Sequence, residues 1–188
     1  MKTLYIERST GEGRSGDWIE SLDLDGVARI VVGTGPGSFA GIRSALAFAQ
    51  GFALGAKCEV MGLPSPCAVA ARFYRSSGAP LSQPLAVVGD ARRGKIWVAL
   101  FDGFSLACPV FQVDGEDLPR RVPLDAKVVT PDAERIDGRL TDVFAERYLG
   151  GVKPTAEGLR AFAEANPDAL VAEPLPIYLN PAVRPADC

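Results

Sequence analysis

Short apolar runs and one long amphipathic segment alternate in the first half of the chain. Lys2 to Ile6 predicts a strand, and the β-branched run Ala28 to Val32 predicts a second one. Ser38 is placed to cap a following helix, which we expect to be largely buried. The apolar positions of that helix recur at three- and four-residue steps and are Phe39, Ile42, Leu46, Ala49 and Ala53, widened by Phe48 and Phe52. Val60 to Leu63 predicts a short strand, and Pro64 to about Tyr74 a second helix.

The segment between the first two strands is short and has no long periodic pattern. Gly16 and Asp17 could turn a small hairpin, whose second arm would be Trp18 to Ser21.

A polar break divides the pattern near the middle of the chain. Ser76 to Pro84 is rich in serine, glycine and proline and separates two apolar blocks, which is typical of a linker. The sequence therefore predicts two subdomains, 1–80 and 81–188.

The second half opens with an apolar antiparallel pair. Leu85 to Gly89 and Lys95 to Phe101 are the two arms, and Asp90 to Gly94 is the turn. The other predicted elements are strands near Pro109 to Val113 and Ala126 to Val129, and helices at Thr141 to Leu149 and Thr155 to Ala165.

Histidine is absent from all 188 residues, and this absence excludes more chemistry than any other feature of the composition. A histidine-based zinc or iron site, a Ser-His-Asp triad and a Cys-His pair all require that side chain. The 20 basic and 23 acidic residues give a net charge of -3, so no chain-wide positive field attracts nucleic acid. We therefore expect any nucleic acid partner to be held only through a complex.

Cysteine usage and hydropathy indicate a cytoplasmic protein. The four cysteines form no C-x-x-C pair, and Met1 to Arg8 is not an apolar signal segment. The longest apolar stretch, Ala45 to Ala56, is interrupted and shorter than the roughly 20 residues of a membrane span.

A loop rich in glycine, between the second strand and the first long helix, carries most of the functional signal. Its glycines let the backbone approach a ligand, and the helix behind it presents free amides and a positive dipole end to an anion. The loop residues that could bind an anion, a nucleotide or a partner are Gly35, Pro36, Gly37, Ser38, Phe39, Gly41 and Arg43.

Three interpretations of this loop compete. A Walker A loop is excluded because no G-K-[ST] closes it. A dinucleotide loop fits G-x-G-x-x-A from Gly35 to Ala40, but the only acidic candidate for the ribose, Glu59, opens the next strand rather than closing it. A purely structural turn, with no ligand, remains the alternative.

The block from Gly35 to Arg43 resembles the G-P-G-S-F-T-G-[LI]-R block of the TsaB (YeaZ) family, a group related to the M22 glycoproteases. Met1 to Thr10 is similar to the family's opening M-K-I-L-x-I-D-T-S-T, and Gly62 to Ser65 to its G-V-[SP]-S turn. Asp90-Ala91-Arg92 matches its D-A-R, and Pro176 to Leu179 resembles its closing P-x-Y-L-R.

This resemblance implies an α/β fold of the actin-like ATPase (ribonuclease H-like) type, with two related subdomains on mixed five-stranded sheets. It also implies a non-catalytic subunit that supports a TsaD-like partner, which transfers threonylcarbamoyl to adenosine 37 of tRNA, together with a TsaE-like ATPase. No catalytic residue or metal ligand is assigned to this chain, and the one candidate cofactor is ATP or ADP at a partner interface. The alternatives are a nucleotide- or dinucleotide-binding enzyme using the glycine loop, and a homodimeric paralogue without the tRNA role.

The chain departs from the family pattern at several positions. Glu7-Arg8 stands where the family has Asp-Thr, which argues against independent ATP hydrolysis, and Ala40 replaces a threonine in the loop. Asn180 replaces the closing arginine. Between Thr10 and Ala28 the family has two strands and a long helix, and this short segment cannot contain all three. We therefore expect the helix to be missing and the N-terminal subdomain to be truncated.

A second set of residues is expected at a cleft between the two subdomains. Ser9 and Thr10 follow the first strand, and Asp90 and Arg92 lie at the turn of the second half. The competing interpretation for Asp90 and Arg92 is a solvated turn. Trp18 and Trp97 are expected either in the core or as anchors of an interface.

Overall fold

The computed structural model describes residues 2–10 and 18–179. They form two sheets, each of which contains both parallel and antiparallel strand pairs. The predicted mixed α/β architecture is confirmed. The expected five strands in each sheet are not observed, because the described residues form one sheet of four strands and one of six.

The first sheet is built mainly from the N-terminal third of the chain. Its strands are β1 (Lys2–Ile6), β2 (Val27–Gly33) and β3 (Glu59–Leu63), which run parallel in that order. A late strand, β10 (Val171–Ala172), pairs antiparallel with β3 and was not predicted. The parallel register brings the carboxyl ends of β1, β2 and β3 to one edge, where the glycine loop begins.

The predicted arm at Trp18 to Ser21 is not a strand but a helical turn. Trp18 lies edge-to-face on Phe48, 5.4 Å between ring centroids, and the guanidinium of Arg8 lies 5.0 Å from its ring. The packing of Trp18 against the helix therefore outweighs its strand propensity. Gly16 and Asp17, the predicted hairpin turn, lie outside the described residues.

Two helices accompany the first sheet. The first, α1 (Phe39–Ala56), begins where predicted: the Ser38 hydroxyl oxygen accepts a hydrogen bond from the Gly41 amide at 3.3 Å. The second, α2 (Ser65–Ser77), ends three residues beyond the prediction and is followed by Gly78, whose φ of 67° suits glycine.

The expectation that α1 would be largely buried is wrong. Its buried residues are Ile42, Ala45, Leu46 and Ala49. Leu54 is 86% exposed and Phe39 is 51% exposed. α1 packs on the first sheet by the face that carries its four buried residues.

The second sheet contains the predicted antiparallel pair at its centre. It is formed by β4 (Leu85–Arg92), β5 (Lys95–Asp102), β6 (Ser105–Leu106), β7 (Phe111–Asp114), β8 (Lys127–Thr130) and β9 (Tyr148–Gly151). β4 pairs antiparallel with β5 and parallel with β8, and β8 pairs parallel with β9.

The helices of the second half match the prediction only in part. A single turn, α3 (Leu118–Arg121), precedes β8, and α5 (Ala156–Ala165) lies where it was predicted, with the Thr155 hydroxyl oxygen accepting from Gly158 N–H. The predicted helix at Thr141 to Leu149 is wrong. The helix α4 spans Ala133–Phe144, and the chain from Tyr148 is β9.

The helix α2 lies in a core shared by both sheets. Nine of its 13 residues are buried, and seven of these pack with Val31 of β2, Val87 of β4 and Phe162 of α5 in one cluster. The proposed division into 1–80 and 81–188 stays a prediction. Within residues 2–10 and 18–179, no helix is both long enough and apolar enough to cross a membrane.

Candidate functional site

The glycine loop is fixed to the start of α2 by backbone hydrogen bonds. The Thr34 amide donates to Leu63 O at 2.9 Å, and the Ser65 amide donates to Gly35 O at 2.9 Å. The Gly35 amide donates to the Ser65 hydroxyl at 3.0 Å. Two of the loop amides therefore have acceptors within the protein.

The glycines of the loop also allow close approach to the end of β1. A Cβ at Gly37 would clash with the carbonyl oxygen of Ser9, and one at Gly41 would clash with that of Arg8. The Ser38 amide donates to Ser9 O at 2.6 Å. These contacts favour the structural interpretation of the loop, since they explain its glycines without a ligand.

Glu7 lies buried beneath the loop. Its Oε1 accepts from the Ser9 amide at 2.7 Å, and its Oε2 lies beside Gly33 together with the Ser65 hydroxyl. Burial raises the pKa of the Glu7 carboxyl, and hydrogen bonds from Ser9 and Ser65 oppose that rise. The side chain is therefore directed into the junction of β1, β2 and α2 rather than towards solvent.

A cavity of about 480 Å³ lies between the glycine loop and the edge of the second sheet. It brings together most of the residues that the sequence singled out, which are Ser9, Thr10, Pro36, Gly37, Ser38, Phe39, Asp90 and Arg92. The two sets of candidate residues, on the loop and on the second-half turn, thus face one space.

Three predicted residues do not line this cavity. Gly35 lies against Ile42 and Ser65, and Gly41 packs on the Arg8 backbone. Arg43 is exposed, with its guanidinium 4.9 Å from the Phe39 ring.

The charges of the cavity centre on Asp90, which lies near the end of β4. Its side chain is 17% exposed, and its Oδ2 is 3.1 Å from Arg92 Nη1 and 3.8 Å from Arg135 Nη1. The Asp90 amide donates to Asp132 Oδ2 at 2.9 Å. Burial raises the pKa of Asp132, opposed first by that hydrogen bond and then by Arg135. Asp90 is therefore not simply a solvated turn residue.

Sequence reasoning missed several residues that line the cavity, namely Trp97, Asp132, Arg135, Ile177, Tyr178 and Leu179. Asp132 and Arg135 belong to the first turn of α4, which was placed too late in the chain. The signal that could have located them was Asp132 after the strand-ending Thr130-Pro131, followed by apolar residues at Ile136 and Leu140.

The dinucleotide interpretation lacks its acidic residue at the loop. Glu59 begins β3, at the opposite end of that strand from Leu63, and its carboxylate is 2.7 Å from Arg29. In the described part of the chain, no three His, Cys, Asp or Glu side chains converge as a metal site would require.

Comparisons with known proteins match the region that holds the loop. Residues 20–106 match the family model described as TsaD: tRNA N6-adenosine threonylcarbamoyltransferase. The tRNA threonylcarbamoyladenosine biosynthesis protein TsaB of Escherichia coli (strain K12) is 37% identical over 76 residues, which are 40% of this chain and 32% of that protein. The matched segment thus spans about a third of the length of this curated relative.

The resemblance to the TsaB (YeaZ) family is confirmed. The fold agrees with it. A Pseudomonas aeruginosa protein described as similar to the peptidase YeaZ superposes with a TM-score of 0.65 at 23% identity, over 89% of this chain and 80% of its own. YeaZ from the same organism superposes with a TM-score of 0.63 at 22% identity, over 87% and 80%. The chain therefore has the YeaZ fold, which is of the actin-like type.

Proposed function

We propose that this chain is a non-catalytic binding subunit of a system that places threonylcarbamoyl on adenosine 37 of tRNA. In this role it supports a TsaD-like catalytic subunit, together with a TsaE-like ATPase, and contacts tRNA only within the complex. The observation that carries the proposal is the match over residues 20–106, which contains β2, the glycine loop, α1 and α2.

The geometry of the loop supports a binding subunit over a nucleotide-hydrolysing enzyme. Amides of Thr34, Gly35 and Ser38 donate to protein acceptors, so they are not free to hold a phosphate. Glu7, at the position of the family's aspartate, turns its carboxyl into the protein interior, where burial favours the neutral form. A neutral carboxyl would be a poor partner for magnesium. ATP or ADP at an interface with a partner remains compatible with this arrangement.

The exposed face of α1 is the surface that we assign to the catalytic partner. Gly51 and Gly55 have no neighbouring atoms within 4 Å of a built Cβ, and Leu54 is 86% exposed. Small residues allow two helix backbones to approach closely, and Leu54 offers an apolar anchor to a partner. Because the family's first helix has no counterpart in residues 18–26, this face has no covering helix from that segment.

Co-purification with a TsaD-like protein tests the partner. Leu54→Glu should abolish the complex, because it places a charge in an apolar contact. Leu124→Glu is the matched control, since Leu124 is 85% exposed but lies between α3 and β8. Equal recovery of the complex with both variants would exclude α1 as the contact surface.

A deletion strain tests the role in the cell. Loss of the modified nucleoside, restored by the wild-type gene and not by Leu54→Glu, is the expected result. Normal modification in the deletion strain would refute the proposed function. A stable homodimer without any TsaD-like partner would favour a paralogue outside the tRNA pathway.

A further inference from the structure

The cavity holds two guanidinium groups side by side. Arg92 Nη1 and Arg135 Nη1 approach the same oxygen, Asp90 Oδ2, at 3.1 and 3.8 Å. Their side chains remain 61% and 49% exposed, so both keep donors that Asp90 does not use. Two like charges held together by one carboxylate form a prepared position for a second anion.

The cavity also has apolar and aromatic lining residues. Phe39 and Tyr178 stack with their ring centroids 5.3 Å apart and are 51% and 49% exposed. Ile42 and Ile177 also line the cavity, and Trp97, which packs over Gly89 of β4, lines it from the second sheet. A hydrophobic wall facing a few polar groups is the usual arrangement of a small-molecule site.

The balance of charge limits the ligand to a small net negative charge. Arg92 and Arg135 against Asp90 leave one positive charge in excess, and burial raises the pKa of the neighbouring Asp132 carboxyl. An ionised Asp132 would cancel this excess positive charge. A polyphosphate would meet Asp90 and Asp132 while finding loop amides already bonded to the protein.

We propose that this cavity binds a small organic carboxylate, whose carboxylate group contacts Arg92 and Arg135 and whose apolar body lies against Phe39, Tyr178 and Trp97. The site does not depend on the proposed role in tRNA modification. Its ligand is a monoanion rather than a nucleotide.

Fluorescence titration of the full chain tests this site directly. In a Trp18→Phe background, Trp97 on the cavity wall is the remaining tryptophan, since the chain has two. Phenylacetate is the probe, phenylacetamide is its neutral isostere, and ATP is the polyphosphate competitor. We expect saturable quenching or enhancement by phenylacetate, and binding of phenylacetamide weaker by about tenfold or more, because hydrogen bonds between charged groups exceed neutral ones.

Substitution of the arginines assigns the binding to this place. Arg92→Gln and Arg135→Gln should each weaken phenylacetate binding by about tenfold. Arg139→Gln is the matched control on α4, one turn beyond Arg135, and Arg139 packs over Gly115 instead of lining the cavity. Circular dichroism of each variant establishes that it is folded.

Several results would overturn the proposal. They are no saturable response to phenylacetate, equal binding of phenylacetamide, an equal loss of binding in Arg139→Gln, or tighter binding of ATP that requires the same two arginines. The last result would make the cavity a nucleotide site.

Discussion

Two consecutive helices of this chain differ in how much of their surface the protein covers. Nine of the 13 residues of α2 are buried, whereas four of the 18 residues of α1 are. α2 lies among β2, β4 and α5, while α1 packs by one face on the first sheet. The outer face of α1 nevertheless carries alanine, glycine and Leu54. Amphipathic spacing therefore predicts which face of a helix packs inward and does not predict whether a second face is covered.

Truncation of one phenylalanine in each helix should give the largest difference. Phe73→Ala in α2, at a residue 3% exposed, should lower the free energy of unfolding by about 3–5 kcal/mol through cavity formation. Phe39→Ala in α1, at a residue 51% exposed, should cost about 1 kcal/mol or less. Urea denaturation of both variants measures the two values. Similar losses would mean that α1 is as tightly packed as α2.

A methyl group added where α5 crosses α2 should have the next largest effect on the free energy of unfolding. A Cβ at Gly158 would clash with the carbonyl oxygen of Ala68 and lie 3.0 Å from Arg72 Cγ. Gly158→Ala should therefore destabilise the protein by about 1–3 kcal/mol, despite the better helix propensity of alanine. Thermal unfolding gives the measurement. An unchanged midpoint would show that this crossing can widen at little cost.

The same substitution on the outer face of α1 should have the opposite sign. A Cβ at Gly51 meets nothing within 4 Å, so Gly51→Ala should stabilise the isolated chain by about 0.5–1 kcal/mol through helix propensity alone. Thermal unfolding at the same protein concentration as for Gly158→Ala makes the pair comparable. A loss of stability would contradict the open space that the described residues leave around Gly51.

The stability of the protein at different pH values should reveal the buried carboxyl of Glu7, which lies beside Ser65 at the start of α2. The pKa of Glu7 is raised above its ordinary value of 4.5 by burial, so the folded protein holds its proton more tightly than the unfolded chain. The resulting stability is present in full below that value and is lost as the pH rises through the raised pKa of the folded state. Denaturation at several pH values should show this decline in wild type, and a smaller one in Glu7→Gln. Identical slopes would exclude Glu7 as its source, since Asp132 also has a raised pKa and remains in the variant.

Local sequence patterns predicted much of the secondary structure, because they report which segments form helices or strands and which face of each is apolar. The strand β1, the cap at Ser38 and the antiparallel pair β4–β5 are confirmed. The start of α4 was misplaced because Asp132 gives no side-chain cap to its helix and instead accepts from the Asp90 amide in another element. β10 was missed because a two-residue strand has no period to detect and exists through its pairing with β3.

The sequence by itself determined the absence of histidine chemistry, the glycine loop and its family resemblance, since each is a property of residue type and order. Tertiary structure decided what those residues face. It packed Gly37 and Gly41 against the end of β1, turned Glu7 inward, and placed Arg92 and Arg135 on one oxygen of Asp90. The contacts of Gly37 and Gly41 with the end of β1, and of Arg135 with Asp90, join segments far apart in the chain. They arise only when those segments pack together, and no local pattern encodes them.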